Sequence, residues 1–96
     1  MTYFHPESGG RREFVDSIAD VLARSTADII AVSAGFDRHE EDWGRQLATE
    51  DYRAIGGLVR EFSERACGGR RFAALEGGYN HDVLGRNVRA FIDGVA

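Results

Sequence analysis

Lysine is absent: all 12 basic residues of this chain are arginine, a bias of the kind genome composition imposes. Cysteine occurs once, at Cys67, and a disulfide framework needs at least two. Proline occurs once, at Pro6, so nothing beyond the amino-terminal stretch is interrupted by a fixed φ. No apolar run approaches the roughly 20 residues needed to cross a bilayer. Residues Met1 to Gly10 are polar and lack the apolar core of a signal peptide. The lone cysteine and the missing export signal together lead to the expectation of a cytoplasmic protein. Net charge is −4, and no basic block is present, which argues against direct nucleic-acid binding. The pairs Arg11-Arg12 and Arg70-Arg71 fall beside predicted element ends and read as solvated surface.

What is present is ordinary for a globular domain: 43% apolar and 29% charged residues over 96 positions. A chain of this length buries about 60–65% of its unfolded surface, so it is expected to be one small domain, or a piece of one, of marginal stability.

Apolar periodicity divides the chain into five elements. Phe14, Ile18, Val21 and Leu22 share one face of a helix predicted over about Arg11 to Arg24. Ile29-Ile30-Ala31-Val32, closed by Gly35, is short and β-branched, as a buried strand is. Tyr52, Ile55, Val59, Phe62 and Ala66 repeat at helical spacing, with Thr49 as the expected N-cap and Gly68-Gly69 as the stop. Phe72-Ala73-Ala74-Leu75 reads as a second strand. After Gly77-Gly78 comes a last helix, with Asp82 as its expected cap and Val83, Leu84, Val88, Phe91 and Ile92 as its stripe. Apolar strands of this kind imply a parallel sheet buried on both faces, an α/β arrangement in three layers.

Strand–helix–strand order has a functional consequence. Parallel strands end on the same edge, so the loops after Ala34 and after Glu76 should emerge side by side, where ligands bind in open α/β sheets. The first loop, Ser33 to Gly44, concentrates carboxylates with His39. Carboxylate oxygen and imidazole nitrogen both suit zinc, although Asp37-Arg38-His39 taken alone reads better as a solvated acidic turn. The second loop, Glu76-Gly77-Gly78-Tyr79-Asn80, offers paired glycines for close approach and a phenol that can donate to developing negative charge. Alone, it is a tight turn with a packed aromatic. Glycines ahead of a helix also admit a phosphate reading, but no phosphate-loop pattern is present.

Taken together, the two loops resemble the histone deacetylase and acetylpolyamine amidohydrolase family. Ser33-Ala34-Gly35-Phe36-Asp37, then Thr49-Glu50-Asp51-Tyr52, then Glu76-Gly77-Gly78-Tyr79-Asn80 follow that family's order, and the resemblance runs from about Ala27 to about Val95. It implies the carboxy-terminal helix-strand-helix-strand-helix portion of the arginase-deacetylase fold. It further implies Asp37 as one of three zinc ligands, Tyr79 as the transition-state tyrosine, and Gly77 and Gly78 as the wall of the acetyl pocket. The substrate class would be acetyl-lysine or acetylpolyamine amides. The family's remaining zinc ligands and its His-His general base lie upstream of the matched region, and this chain has no adjacent histidines. His5 and His81 fit neither role. The chain is therefore expected to be inactive alone and to need a missing upstream half, or self-association, to cover its apolar edges. The alternative is a non-catalytic α/β interaction or regulatory module.

One departure from the family's pattern falls at Glu41-Asp42-Trp43-Gly44, where a Gly-Asp-Pro-Leu-Gly turn is usual. Glutamate replaces a residue that takes positive φ cheaply, and Trp43 is expected either to meet substrate or, somewhat better, to cover the core edge.

Overall fold

The computed structural model describes residues 10–96. The expected amino-terminal loop and His5 lie outside these, apart from Gly10. Three helices, α1 (Arg11–Ala23), α2 (Thr49–Ala66) and α3 (His81–Val95), alternate with two strands, β1 (Ile30–Gly35) and β2 (Arg71–Glu76). A 3-10 turn, Phe36–Arg38, follows β1 directly. The strands pair in parallel from Ile30 opposite Arg71 to Gly35 opposite Glu76. Element order and parallel pairing are as the sequence predicts, with boundaries displaced by a residue or two.

Burial along β1 alternates, and the core-facing side carries Val32, Ala34 and, from β2, Ala73. The opposite side leaves Phe72 58% exposed. The uniform burial expected of both faces is therefore not found among the described residues; these helices cover one face of the sheet.

Core packing centres on Phe36, whose ring stacks on Tyr52 at 5.0 Å and meets Phe91 edge-on at 5.9 Å. Ala34, Leu47 and Ala90 complete the buried cluster. Aromatic contacts of both kinds add to the area they bury. Helices α2 and α3 approach closely because each presents glycine at the crossing. A Cβ on Gly56 would sit 2.5 Å from the Phe91 carbonyl oxygen and 2.9 Å from the Val95 nitrogen. A Cβ on Gly94 would collide with the Arg53 carbonyl oxygen.

Three local expectations need correction. Thr49 is the first residue of α2 and not its cap. Ala48 holds the cap position, its amide donates to Asp51 Oδ2 at 2.8 Å, and the Thr49 hydroxyl donates instead to Asn87 Oδ1 at 2.7 Å. At α3 the cap is Asn80, whose side chain accepts from the Asp82 amide at 3.1 Å, because Asp82 already lies inside the first turn. Arg71 is not solvated surface. Its guanidinium donates to the Val95 carbonyl at 2.6 Å and to Ser63 Oγ at 3.0 Å, where cationic donors satisfy the open carbonyls of a helix C-terminus.

Glycines at two helical positions should respond oppositely to alanine. Gly56→Ala is expected to destabilise by about 1–3 kcal/mol through overpacking. Gly85→Ala, with nothing within 4 Å of its new methyl, should stabilise by up to about 1 kcal/mol through helix propensity. Thermal melts followed by circular dichroism check both.

Candidate functional site

The carboxyl ends of β1 and β2 are paired at Gly35 and Glu76, so the chain leaves both strands at one edge. Beyond β1 the 3-10 turn places Asp37. Beyond β2 the chain turns through Gly77 and Gly78, both left-handed at φ 68° and 95°. Glycine at 77 is required on two grounds. Its φ is one that side chains rarely adopt, and a Cβ there would lie 3.1 Å from both Cγ and Oδ1 of Asp37. Gly78 is buried, and a Cβ on it would come within 2.5 Å of Leu84 Cδ1 and 3.3 Å of Phe36 Cβ. Asp37 and the glycine turn, 40 positions apart in sequence, are thus in direct contact.

The loop from His39 to Leu47 folds back on this edge. The Gly44 amide donates to the Asp37 carbonyl at 2.6 Å, the Leu47 amide to the Arg38 carbonyl at 2.7 Å, and the Glu40 amide to the Leu47 carbonyl at 2.6 Å. The left-handed position of the loop falls on Arg45, at φ 50°, so Glu41 is not asked to adopt one. Trp43 does not cover the core edge. It is 77% exposed, and its ring lies 4.6 Å from that of Tyr79, itself 56% exposed. These two rings line an open cleft of about 670 Å³ together with Glu40, Glu41, Arg45 and Asn80.

His39 is 2% exposed and has both ring nitrogens engaged. Its Nδ1 accepts from the Glu41 amide at 3.1 Å, which leaves the proton on Nε2, 3.2 Å from Thr49 Oγ1. Thr49 in turn donates to Asn87, whose Nδ2 is buried without a hydrogen-bond partner among the described residues. This buried relay ties the loop to α2 and α3, so the imidazole is not presented outward as a ligand.

Asp42, which the sequence reading did not single out, is the centre of the site's polar contacts. It is 6% exposed. Its Oδ1 accepts from the Trp43 amide at 2.7 Å, and its Oδ2 accepts from the Tyr79 amide at 2.8 Å and the Asn80 amide at 2.9 Å. Burial pushes this carboxyl up, but the three amide donors outweigh it and hold the group below the ordinary carboxylate range. The Asn80 side chain closes the link by donating to the Glu41 carbonyl at 2.7 Å. An anion thus does sit at the entrance to α3, and it is the chain's own carboxylate. The amides of Tyr79 and Asn80, just ahead of the helix, are already taken. Tyr52 lies beneath, buried, its hydroxyl donating to the Gly35 carbonyl at 3.1 Å. Burial raises that phenol well above its usual range, with Asp37 and Asp42 acting in the same direction, so it stays a neutral donor.

A carboxylate such as Asp37 suits zinc, but a complete site takes three protein ligands and an open position. Among the described residues no three His, Cys, Asp or Glu side chains converge to hold a metal. These residues therefore do not make a zinc site by themselves.

Asp42 makes acid dependence a direct readout of the link. Because its folded pKa is below the ordinary 3.8, its contribution is complete above that value and is lost as pH falls through the folded value. Asp42→Asn is expected to cost about 1.5–3 kcal/mol at neutral pH, the worth of a hydrogen bond to a charged group. That deficit should shrink in acid, as seen in melts of both proteins from neutral pH downward.

Comparison with known proteins bears on the family. The model of the histone deacetylase domain matches residues 6–95. The chain is 40% identical over 88 residues to rice "Histone deacetylase 10, chloroplastic", a match covering 85% of this chain and 20% of that protein. It is 36% identical over 80 residues to Arabidopsis thaliana "Histone deacetylase 14, chloroplastic", covering 81% and 19%. It is 35% identical over 65 residues to the "Histone deacetylase-like amidohydrolase" of Pseudomonas aeruginosa, covering 66% and 17%. The chain thus spans a fifth or less of the length of these three relatives. With a family match over nearly its whole length and the glycine turn seated against the aspartate, the chain belongs to the histone deacetylase family.

Proposed function

We propose that this chain supplies the carboxy-terminal part of a zinc-dependent deacetylase site acting on acetyl-lysine or acetylpolyamine amides. Asp37 would be one zinc ligand. Tyr79 would donate its phenolic hydrogen to the oxyanion as the amide carbonyl becomes tetrahedral, and Gly77 and Gly78 would line the acetyl pocket. Zinc would act as Lewis acid and activator of water in the assembled site. The observation that carries this reading is the contact between Asp37 and Gly77, with Tyr79 two residues further along the same turn. A pocket wall without side chains, a metal-binding oxygen and a phenol on one sheet edge suit a small acyl group held beside a metal. The remaining ligands and the general base would come from outside this chain, whether from a longer polypeptide or from a partner chain.

A second reading, a non-catalytic interaction module, draws on the incomplete donor set among the described residues. The phosphate reading loses support, because a carboxylate, Asp42, already sits on the amides that follow the glycine turn, where it would repel a second anion.

Two experiments separate these. In a complete enzyme carrying this segment, Tyr79→Phe should lower kcat by about 10²–10³-fold with zinc retained, the usual cost of one oxyanion donor. Asp37→Ala should lose the metal. Undiminished turnover in Tyr79→Phe rejects the catalytic assignment. The isolated 96-residue chain is expected to bind zinc weakly and to release no acetate. Stoichiometric zinc with measurable deacetylation would overturn the proposal that the site needs outside residues.

A further inference from the structure

We infer that Asp42 is a positioning residue for Tyr79: anchored in the loop after β1, its carboxylate fixes the backbone of the turn after β2 and with it the place of the phenol. The inference rests on the reading in which Tyr79 meets substrate.

The turn needs an external restraint. Gly77 and Gly78 both lack a Cβ and both sit at positive φ, so they give Tyr79 little torsional definition. Among the described residues no backbone carbonyl accepts the amides of Tyr79 or Asn80; Asp42 Oδ2 accepts both, at 2.8 and 2.9 Å. Hydrogen bonds to an ionised acceptor are about twice as strong as neutral ones, and here the acceptor is buried.

The other end of the restraint is equally fixed. Asp42 Oδ1 takes the Trp43 amide, and the Asp42 amide donates to the His39 carbonyl at 2.9 Å. Two residues on, the Gly44 amide holds the Asp37 carbonyl at 2.6 Å. One carboxylate therefore joins the segment bearing Asp37 to the segment bearing Tyr79. Asn80 returns the contact through its side chain to the Glu41 carbonyl at 2.7 Å, and the Trp43 ring rests on the Tyr79 ring. Asp42 itself touches no reacting atom in this scheme. It acts through the main chain of the residue that would.

Amide hydrogen exchange of the 96-residue chain, followed by NMR, tests this without metal or substrate. In the parent chain Tyr79 and Asn80 should be protected despite lying in an exposed turn. In Asp42→Ala their exchange should accelerate by roughly ten- to a hundredfold, the factor implied by losing a hydrogen bond to a charged acceptor. The amides of Val59 and Phe62 in α2 should change less. Asp42→Asn keeps one acceptor oxygen and should fall between the two. A purely stabilising role would instead speed α2 and the turn alike. Should Asp42→Ala not fold, Asp42→Asn and the parent carry the test. Unprotected Tyr79 and Asn80 in the parent, or unchanged exchange in either folded variant, overturns the inference. In a complete enzyme Asp42→Asn should lower kcat more than it alters KM. Failure of the deacetylase reading is separately visible. If Tyr79→Phe stays active while exchange responds as expected, the assignment of Tyr79 is wrong and the restraint stands. If Tyr79→Phe is inactive but exchange ignores Asp42, the restraint alone is wrong.

Discussion

Parallel pairing of two short strands is the constraint from which the rest follows. Strands running the same way deliver their carboxyl ends to one edge, and the connection between them must travel the length of the sheet, which α2 does. The pairing of Gly35 with Glu76 as the last rung brings the 3-10 turn and the glycine turn into contact. Antiparallel pairing would have sent them to opposite ends. The site is thus a property of strand direction before it is a property of any side chain.

Side chains then hold the two turns at a fixed separation. Glycine at 77 lets the main chain come against the Asp37 carboxyl, while Phe36, the residue before Asp37, is clamped between Tyr52 and Phe91. One side of the 3-10 turn is therefore core, and the other is site. Polar groups beneath the loop are linked in a chain and not singly: Glu41 to His39, His39 to Thr49, Thr49 to Asn87, where the Asn87 Nδ2 is left without a partner among the described residues. A buried imidazole used this way serves as a structural strut, which explains how the loop can place a histidine two residues from Asp37 without presenting it outward.

Much of this was legible in the sequence. Apolar periodicity located all five elements, because burial of one helix face or one strand run leaves a repeat that can be counted. The order strand–helix–strand gave the shared edge. The joint pattern of Asp37, the Thr49-to-Tyr52 segment and the Glu76-to-Asn80 turn pointed to the family, and Asp37 and Gly77 do meet. The caps were misplaced by one or two residues because tertiary contacts reassign the polar groups: the Thr49 hydroxyl is bonded to Asn87 while Asp51 reaches back to the Ala48 amide, and Asn80 takes the Asp82 amide ahead of Asp82 itself. Arg71 looked solvent-facing as one of a surface pair; strand alternation turns its guanidinium onto the helix termini.

Asp42 shows where sequence stops. In a loop that reads Glu40-Glu41-Asp42, nothing local distinguishes the third acid from its neighbours. Its importance comes from amides 37 and 38 positions away, and from burial that makes an ionised acceptor valuable. Trp43 is the same case: the sequence leaves it between meeting substrate and covering the core edge, and the fold places it outside, against the Tyr79 ring. The sequence by itself determined the elements, their order and the identity of the groups at the strand ends, since these depend on local periodicity and strand direction. Only the tertiary structure decided which acid is enclosed, which histidine nitrogens are engaged and what holds the Tyr79 backbone, since each depends on partners that become neighbours after the chain has folded.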